Sequence, residues 1–143
     1  MAFTFELTTR ARFIEDGTQG NWEELATRSF TGLSERLDKK HSVSSATKVL
    51  WDSDADGALA DFQVCALVST QPVELEFTCN NGDAQEELSH VYLAANTAFV
   101  LGQDDSRYDY TTDTFSGTLD VIDRIRVKES DALAATVRLI LLR

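Results

Sequence analysis

The sequence contains few of the side chains from which catalytic and metal centres are built. Histidine occurs only at His41 and His90, too seldom for a recognisable zinc site. The chain has no Gly-x-Ser-x-Gly elbow, Walker loop or dinucleotide fingerprint. Glu86 and Glu87 are adjacent carboxylates, but neighbouring residues of a strand point to opposite faces, which makes them a poor acid–base pair. We therefore predict that the chain is not an enzyme.

Cysteine and proline are equally scarce, with two cysteines, Cys65 and Cys79, and one proline, Pro72. If the segments around the cysteines form a hairpin across 69–72, the two side chains are too far out of register for a bridge, whose Cα atoms must lie within about 7 Å. We interpret both cysteines as reduced residues in or near a core, with a disulfide across other strands as the open alternative. A chain of this length buries about two thirds of its unfolded surface and needs no disulfide to fold.

Long apolar runs and excess positive charge are also missing. No run reaches the ~18 apolar residues of a membrane helix, and the first residues lack the basic region and apolar core of a signal peptide. This predicts a protein made inside the cell with no membrane partner. Lys and Arg number 13 against 24 Asp and Glu, a net charge of −11. Such a charge repels phosphate backbones, so we do not expect nucleic acid as a partner.

The basic residues that are present fall into two groups with acidic residues interspersed. We interpret both groups as solvated strand faces. They consist of Arg36, Lys39 and Lys40 with His41, and of Arg124, Arg126 and Lys128.

The sequence is rich in alternation of apolar and polar residues, the period of a β-strand. In the first segment Phe3, Phe5 and Leu7 share one parity, and Asp16 with Gly17 ends the strand. Further strands are predicted near 48–51, 61–69, 73–79, 88–94, 98–101, 118–128 and 136–142. About eight or nine short strands with frequent turns predict an all-β fold, a single β-sandwich or jelly-roll domain over residues 1–143.

Residues 22–38 fit two descriptions. Trp22, Leu25 and Phe30 lie at roughly helical spacing, and Asn21 followed by Glu24 could cap a helix. Gly32 interrupts that pattern, and the segment is poor in strong helix formers. We predict strands near 25–33 and 35–44, because the rest of the chain is β.

The sharpest motif is an acidic loop that fits the first half of a calcium-binding loop. Asp52, Asp54 and Asp56 occupy its first, third and fifth positions, and Gly57 occupies its sixth. Alternate carboxylates suit a hard cation, but Gln63 stands where a bidentate glutamate would complete the site. We favour an acidic inter-strand turn and assign no metal site, keeping calcium at Asp52, Asp54 and Asp56 as the alternative.

The segment 102–117 is a second acidic stretch and is long for a structureless connection. Its carboxylates are irregularly spaced, and a solvated loop is the favoured interpretation over a cation site. They are Asp104, Asp105, Asp109 and Asp113.

Residues 61–142 resemble a known group of proteins. The resemblance lies in the run of strands Asp-Phe-Gln-Val-Cys-Ala-Leu-Val-Ser, Pro-Val-Glu-Leu-Glu-Phe-Thr and Asn-Thr-Ala-Phe-Val-Leu-Gly. It continues through Gly-Thr-Leu-Asp-Val-Ile-Asp-Arg-Ile-Arg-Val-Lys and Ala-Ala-Thr-Val-Arg-Leu-Ile-Leu-Leu. This pattern is similar to small β-sandwich virion proteins of tailed bacteriophages, including capsid decoration or cement proteins.

The resemblance implies a non-enzymatic structural protein of the virion, made in the host cytoplasm. It implies a homo-oligomer whose partner is the major capsid protein or another virion subunit, and it carries over no binding residues. A position in the neck or tail is the alternative within the same class. Outside it, the alternatives are a calcium-dependent binding module and, less favoured, a small jelly-roll enzyme.

Overall fold

The computed structural model describes residues 2–12, 14–55, 59–79, 87–102 and 122–143. These residues contain strands and turns but no helix, so the all-β prediction is confirmed. The strands are β1 Phe3–Ala11, β2 Ile14–Glu15, β3 Thr18–Gln19, β4 Glu23–Leu33, β5 Arg36–Val43, β6 Lys48–Asp52, β7 Val64–Ser69, β8 Val73–Cys79, β9 Glu87–Leu93, β10 Ala98–Gly102, β11 Ile122–Glu129 and β12 Ala135–Leu142.

The chain divides into two compact units, Met1–Ser34 and Glu35–Arg143. The first unit is a long antiparallel ribbon of β1 and β4, with the two-residue strands β2 and β3 pairing at its far end. The prediction of one domain over residues 1–143 stays a prediction.

Three residues with positive φ shape the ribbon. Asp16 and Gly17, at φ 48° and 79°, make the tight turn between β2 and β3, where the sequence predicted the end of a strand. Gly32 has φ 74° and lies where the β1–β4 register shifts between Phe3 and Phe5. It is a bulge glycine, which explains why it interrupts the apparent helical pattern of 22–38. The prediction of strands there is confirmed by β4 and β5.

The second unit contains two four-stranded antiparallel sheets. The first has the strand order β10-β7-β12-β5 and the second β6-β11-β8-β9. The backbones of Glu35 and Arg143 exchange two hydrogen bonds, at 2.9 and 3.0 Å, and so extend the β5–β12 ladder beyond the assigned strands.

The buried faces of both sheets contribute to one hydrophobic cluster. Val73, Leu75, Phe77 and Cys79, the alternate residues of β8, are all buried, as their spacing predicts. Trp51 packs edge-to-face on Phe62 with ring centroids 5.3 Å apart. Two sheets that share a core have the layering of a β-sandwich. The jelly-roll topology and the count of about eight or nine strands stay predictions.

The supposed hairpin around Pro72 is wrong. The strands β7 and β8 lie in different sheets, so Thr70–Pro72 carries the chain from one sheet to the other. The backbone N–H of Thr70 donates to the carbonyl of Thr136 at 3.1 Å, which fixes this crossing to β12. In β7, Cys65 and Leu67 enter the core while Val68 is 43% exposed.

Candidate interaction surface

The acidic motif begins at the end of β6 as a turn closed by its own first carboxylate. Oδ1 of Asp52 accepts a hydrogen bond from the backbone N–H of Asp54 at 3.0 Å, and the Asp52 carbonyl accepts from Ala55 at 3.2 Å. This is the local side-chain-to-backbone bonding by which aspartate favours turns. Asp52 is half-buried and Asp54 is exposed.

Two hydrogen bonds hold the base of that loop against neighbouring parts of the second unit. Nε1 of Trp51 donates to the carbonyl of Leu59 at 2.9 Å, and the backbone N–H of Gln63 donates to the carbonyl of Leu142 at 2.7 Å. Asp56 and Gly57 lie outside the described residues, as does the acidic stretch 103–117. Within the described ranges no group of three or more His, Cys, Asp or Glu could hold a metal ion. The alternative of calcium at Asp52, Asp54 and Asp56 stays a prediction.

Cys65 and Cys79 are both buried and are not joined in a disulfide, which confirms their interpretation as reduced core residues. Burial raises the pKa of the Cys65 thiol, because a thiolate would lose its hydration in the core. A thiol in such surroundings is a poor nucleophile.

An ion-pair network lies on the outer face of the second sheet. Arg126 pairs with Oε1 of Glu76, and Nε2 of His90 lies 3.0 Å from Oε2 of the same carboxylate. Desolvation alone would raise the pKa of Glu76, but the hydrogen bonds from His90 and Arg126 outweigh it and lower that pKa. His90 is on a strand face, as the sequence predicts.

His41 has a different environment. Its Nε2 is buried without a hydrogen-bond partner among the residues that the structure describes. Burial and then the charges of Lys48 and Lys39 lower its pKa, because each disfavours a second positive charge there. Among the described residues, no carboxylate forms a hydrogen bond with Nε2 of His41.

In the basic group on β5, the carboxylate of Asp38 pairs with neighbouring arginines. Arg138 makes two hydrogen bonds to Asp38, with its Nε 2.9 Å from Oδ1 and its Nη2 2.7 Å from Oδ2, and Arg36 also pairs with Oδ2. The hydrogen bonds from Arg138 and Arg36 hold the pKa of Asp38 well below its usual range. Arg36 and Arg138 thus pair with Asp38, and Arg126 pairs with Glu76.

The ribbon of the first unit has one polar face and one face that carries the rings of Phe5 and Phe30. Its polar face is internally satisfied by cross-strand contacts. Oγ1 of Thr8 lies 3.2 Å from Oγ1 of Thr27, and the Ser29 hydroxyl donates to Glu6 at 3.2 Å. Next along the ribbon Arg10 lies 3.9 Å from Glu24. Since these residues pair with one another, this face is suited to water.

The opposite face, which we call the aromatic face, is formed by the alternate residues of β1 and their partners on β4. The pairs, from the base of the ribbon to its far end, are Phe3–Leu33, Phe5–Phe30, Leu7–Arg28, Thr9–Ala26 and Ala11–Glu23. The Phe5 and Phe30 rings have centroids 6.2 Å apart, and the guanidinium of Arg28 stacks 4.6 Å above the Phe30 ring.

Large apolar side chains become more exposed toward the far end of the ribbon. Ile14, Trp22 and Leu25 are 59%, 60% and 64% exposed, and Trp22 is covered in part by the guanidinium of Arg12 at 4.7 Å. A two-stranded ribbon is marginally stable in water by itself, and the described part of the first unit contains no second layer over the aromatic face. The ribbon is therefore the strongest candidate interaction surface.

Sequence reasoning identified the strands of the ribbon but not the ribbon as a site. Alternation showed one apolar face on β1, and that pattern is the same for a strand packed in a core and for one that awaits a partner. The missing information was that, among the described strands, β4 alone pairs with β1.

The part of the chain with described coordinates contains no helix long and apolar enough to cross a membrane. Comparison with protein-family models, with curated proteins and with solved structures found no match.

Proposed function

We propose that this chain is a non-enzymatic structural protein that acts by assembling with other subunits. Within that class we propose a β-sandwich virion protein of a tailed bacteriophage, specifically a capsid decoration or cement protein that binds the major capsid protein. A neck or tail component is the alternative position. The observation that carries the assembly role is the ribbon of β1 and β4, to which no further described strand is paired, together with the exposed side chains of Trp22 and Leu25.

The arrangement of surface groups supports assembly over catalysis. Cys65 of β7 is buried, Nε2 of His41 has no hydrogen-bond partner among the described residues, and His90 belongs to an ion-pair network on a sheet face. The large exposed apolar side chains near the far end of the ribbon are the kind of surface that marks protein–protein contact. Contact with neighbouring subunits would stabilise the particle by mass action, because binding favours the folded, assembled state.

The calcium-dependent binding module has less support. The Asp52 carboxylate caps its own turn, a role that requires no metal.

The test is the composition of purified virions of the phage that carries this sequence. Particles banded by density would be digested, and the chain would be quantified by peptide mass spectrometry relative to the major capsid protein. A decoration protein is present in proportion to the major capsid protein, and a neck or tail protein is present in far fewer copies. Absence of the chain from intact particles would overturn the virion proposal.

A further inference from the structure

Among the described strands, the two sheets of the second unit end at the edge strands β10, β5, β6 and β9. Edge strands expose unpaired backbone groups, which proteins protect with short strands, bulges and charged side chains directed inward. β10 and β6 have five residues each, and a bulge interrupts the pairing of β6 with β11. β5 carries Lys39 on its core-facing side, opposite the buried Leu139. These three edges are therefore poor sites for the addition of another strand.

The fourth edge strand, β9, has none of these protective features. It has seven residues, contains no lysine, arginine, proline or glycine, and pairs with β8 without a register shift. Val91 and Leu93 pack its inner side on the core, whereas Leu88 and Tyr92 on its outer side are 42% and 61% exposed. Because β8 is its only partner among the described strands, β9 presents a regular edge that is anchored from within.

An open edge of this kind binds an extended chain segment through its backbone N–H and C=O groups, and β9 fits a second copy of itself. Residues 87 and 93 are equidistant from His90, so a twofold axis at His90 pairs all seven residues of two antiparallel β9 strands. Leu88 then lies opposite Tyr92 of the second copy, and the two His90 residues lie opposite each other. Isologous contacts, in which residue i meets j and j meets i, characterise twofold dimers.

The charges near this edge favour a second copy although the chain as a whole carries a net charge of −11. Residues 88–93 contain no carboxylate, so self-pairing brings no two acids together there. The His90 ring bonds toward β8, with its Nε2 3.0 Å from Oε2 of Glu76, and so points away from the open edge. The exposed Leu88 and Tyr92 meet as an aliphatic–aromatic cross-strand pair, which stabilises a sheet.

We infer that β9 is a homotypic edge: it pairs, antiparallel, with β9 of a second copy of this chain and joins the two four-stranded sheets into one continuous sheet. The inference goes beyond the proposed function, because it places a self-contact on the second unit and requires no capsid.

The length of β9 sets the strength of this contact. Seven paired residues span about 24 Å and exchange about six to eight backbone hydrogen bonds, because every second pair is bonded twice. A contact along one strand remains below about 1,200 Å² in total, which is the weak end of specific association. The dimer is therefore reversible and dissociates on dilution.

A cysteine placed on the twofold axis tests the pairing of β9 directly. Opposite residues of antiparallel strands have Cα atoms about 4.5–5.5 Å apart, within reach of a disulfide. Under mild oxidation of the full chain, His90→Cys is expected to form a covalent dimer at least about tenfold faster than Glu74→Cys, since the two copies of residue 74 would lie about 14 Å apart, three strand spacings. Glu74 is the matched control, exposed on the outer face of the same sheet and opposite Tyr92.

The register has its own test in a mixture of Leu88→Cys and Tyr92→Cys. These two positions lie opposite each other across the axis, whereas each lies about 13 Å from its own counterpart, four residues along the strand. The mixture is therefore expected to give the mixed covalent dimer in preference to either homodimer. The native Cys65 and Cys79 are buried and do not compete.

Sedimentation equilibrium of the full chain, from dilute solution to about 1 mM, measures the association without a cross-link. The wild type is expected to dimerise reversibly. His90→Lys keeps a cation beside Glu76 but sets like charges opposite each other across the axis, and is expected to weaken dimerisation at least about fivefold.

Three results would each overturn the inference. They are a wild-type chain that stays monomeric throughout, a dimer that His90→Lys does not weaken, and cross-linking of His90→Cys that is no faster than that of Glu74→Cys. None of them affects the virion proposal, which is decided by the presence of the chain in particles.

Discussion

Glu76 shows how a single carboxylate can fix the outer face of a sheet. It is 18% exposed as a side chain and bonds to Arg126 on β11 and His90 on β9, so it ties three adjacent strands together. Its lowered pKa means that the folded state favours the ionised form. The stability that follows is present above the ordinary glutamate pKa of about 4.3 and is lost as the pH falls through the lowered value.

Glu76→Gln should therefore reduce the free energy of unfolding at pH 7 by about 1 kcal/mol, because charge-assisted hydrogen bonds become neutral ones. Chemical denaturation followed by Trp51 fluorescence measures this loss. Glu74→Gln, on the same face but exposed and opposite Tyr92 and Lys128, is the control and should change stability by less than half as much. Equal losses in the two variants would show that the network contributes nothing specific.

We expect a second pH dependence of the free energy of unfolding, which arises from His41. Burial and the charges of Lys48 and Lys39 lower its folded-state pKa below the ordinary value of about 6.5, so the unfolded chain binds the proton more readily. The stabilising contribution is complete above that ordinary value and is lost as the pH falls toward the folded-state pKa.

The free energy of unfolding should thus decrease from pH 7 to about pH 5, and His41→Gln should reduce that slope. Urea titrations at several pH values provide the measurement. Lys40→Gln alters an exposed charge beside His41 and should leave most of the slope in place. A slope that is identical in wild type and His41→Gln would contradict the assignment.

Among the elements, the ribbon depends on one backbone position. Gly32 has φ 74°, where an L-residue costs about 1–2 kcal/mol, and an added Cβ would meet no atom within 4 Å. Gly32→Ala should therefore destabilise the ribbon by about 1 kcal/mol through the backbone alone. Trp22 is the probe for its unfolding in a Trp51→Phe background. Thr31→Ala is the control, and an equally small effect of both substitutions would contradict a bulge that requires glycine.

The loop after β6 gives a prediction of its own. If Asp52 is a turn residue, thermal unfolding midpoints in millimolar calcium and in excess chelator should be the same within error. Asp52→Ala should lower the midpoint in both conditions, because it removes the bond to the N–H of Asp54, whereas the exposed Asp54→Ala should have little effect. A midpoint that rises in calcium and depends on Asp54 would instead favour the calcium module.

The elements were predictable to the extent that local alternation determines them. The segments at β4, β8, β9, β10 and β12 were located from period two and turn residues, and the helical alternative for 22–38 was rejected at Gly32. Which residues of β7 enter the core was not predictable, because its apolar residues occupy both parities: Val64, Cys65 and Leu67 are buried, and Val68 is 43% exposed. A strand with two apolar faces contains no local signal that distinguishes them.

At the scale of the whole chain, strand pairing was the information that the sequence did not provide. Among the described strands of the second unit, only β8 and β9 are consecutive and paired; every other connection passes from one sheet to the other. Pairing of this kind is decided by complementarity between distant segments. For the same reason the sequence did not reveal the two-stranded ribbon, because alternation has the same period in a strand of a large sheet and in a strand with a single partner.

In our proposal the ribbon of β1 and β4 is a contact surface for other subunits. Amide hydrogen exchange of the full chain, read by mass spectrometry free in solution and bound on purified particles, is the test. We predict that amides in Phe3–Ala11 and Glu23–Leu33 exchange rapidly in the free chain and become protected on the particle, while those of Ala135–Leu142 stay protected in both. A ribbon that is already as protected as β12 in the free chain, and that does not change on the particle, would contradict the proposal.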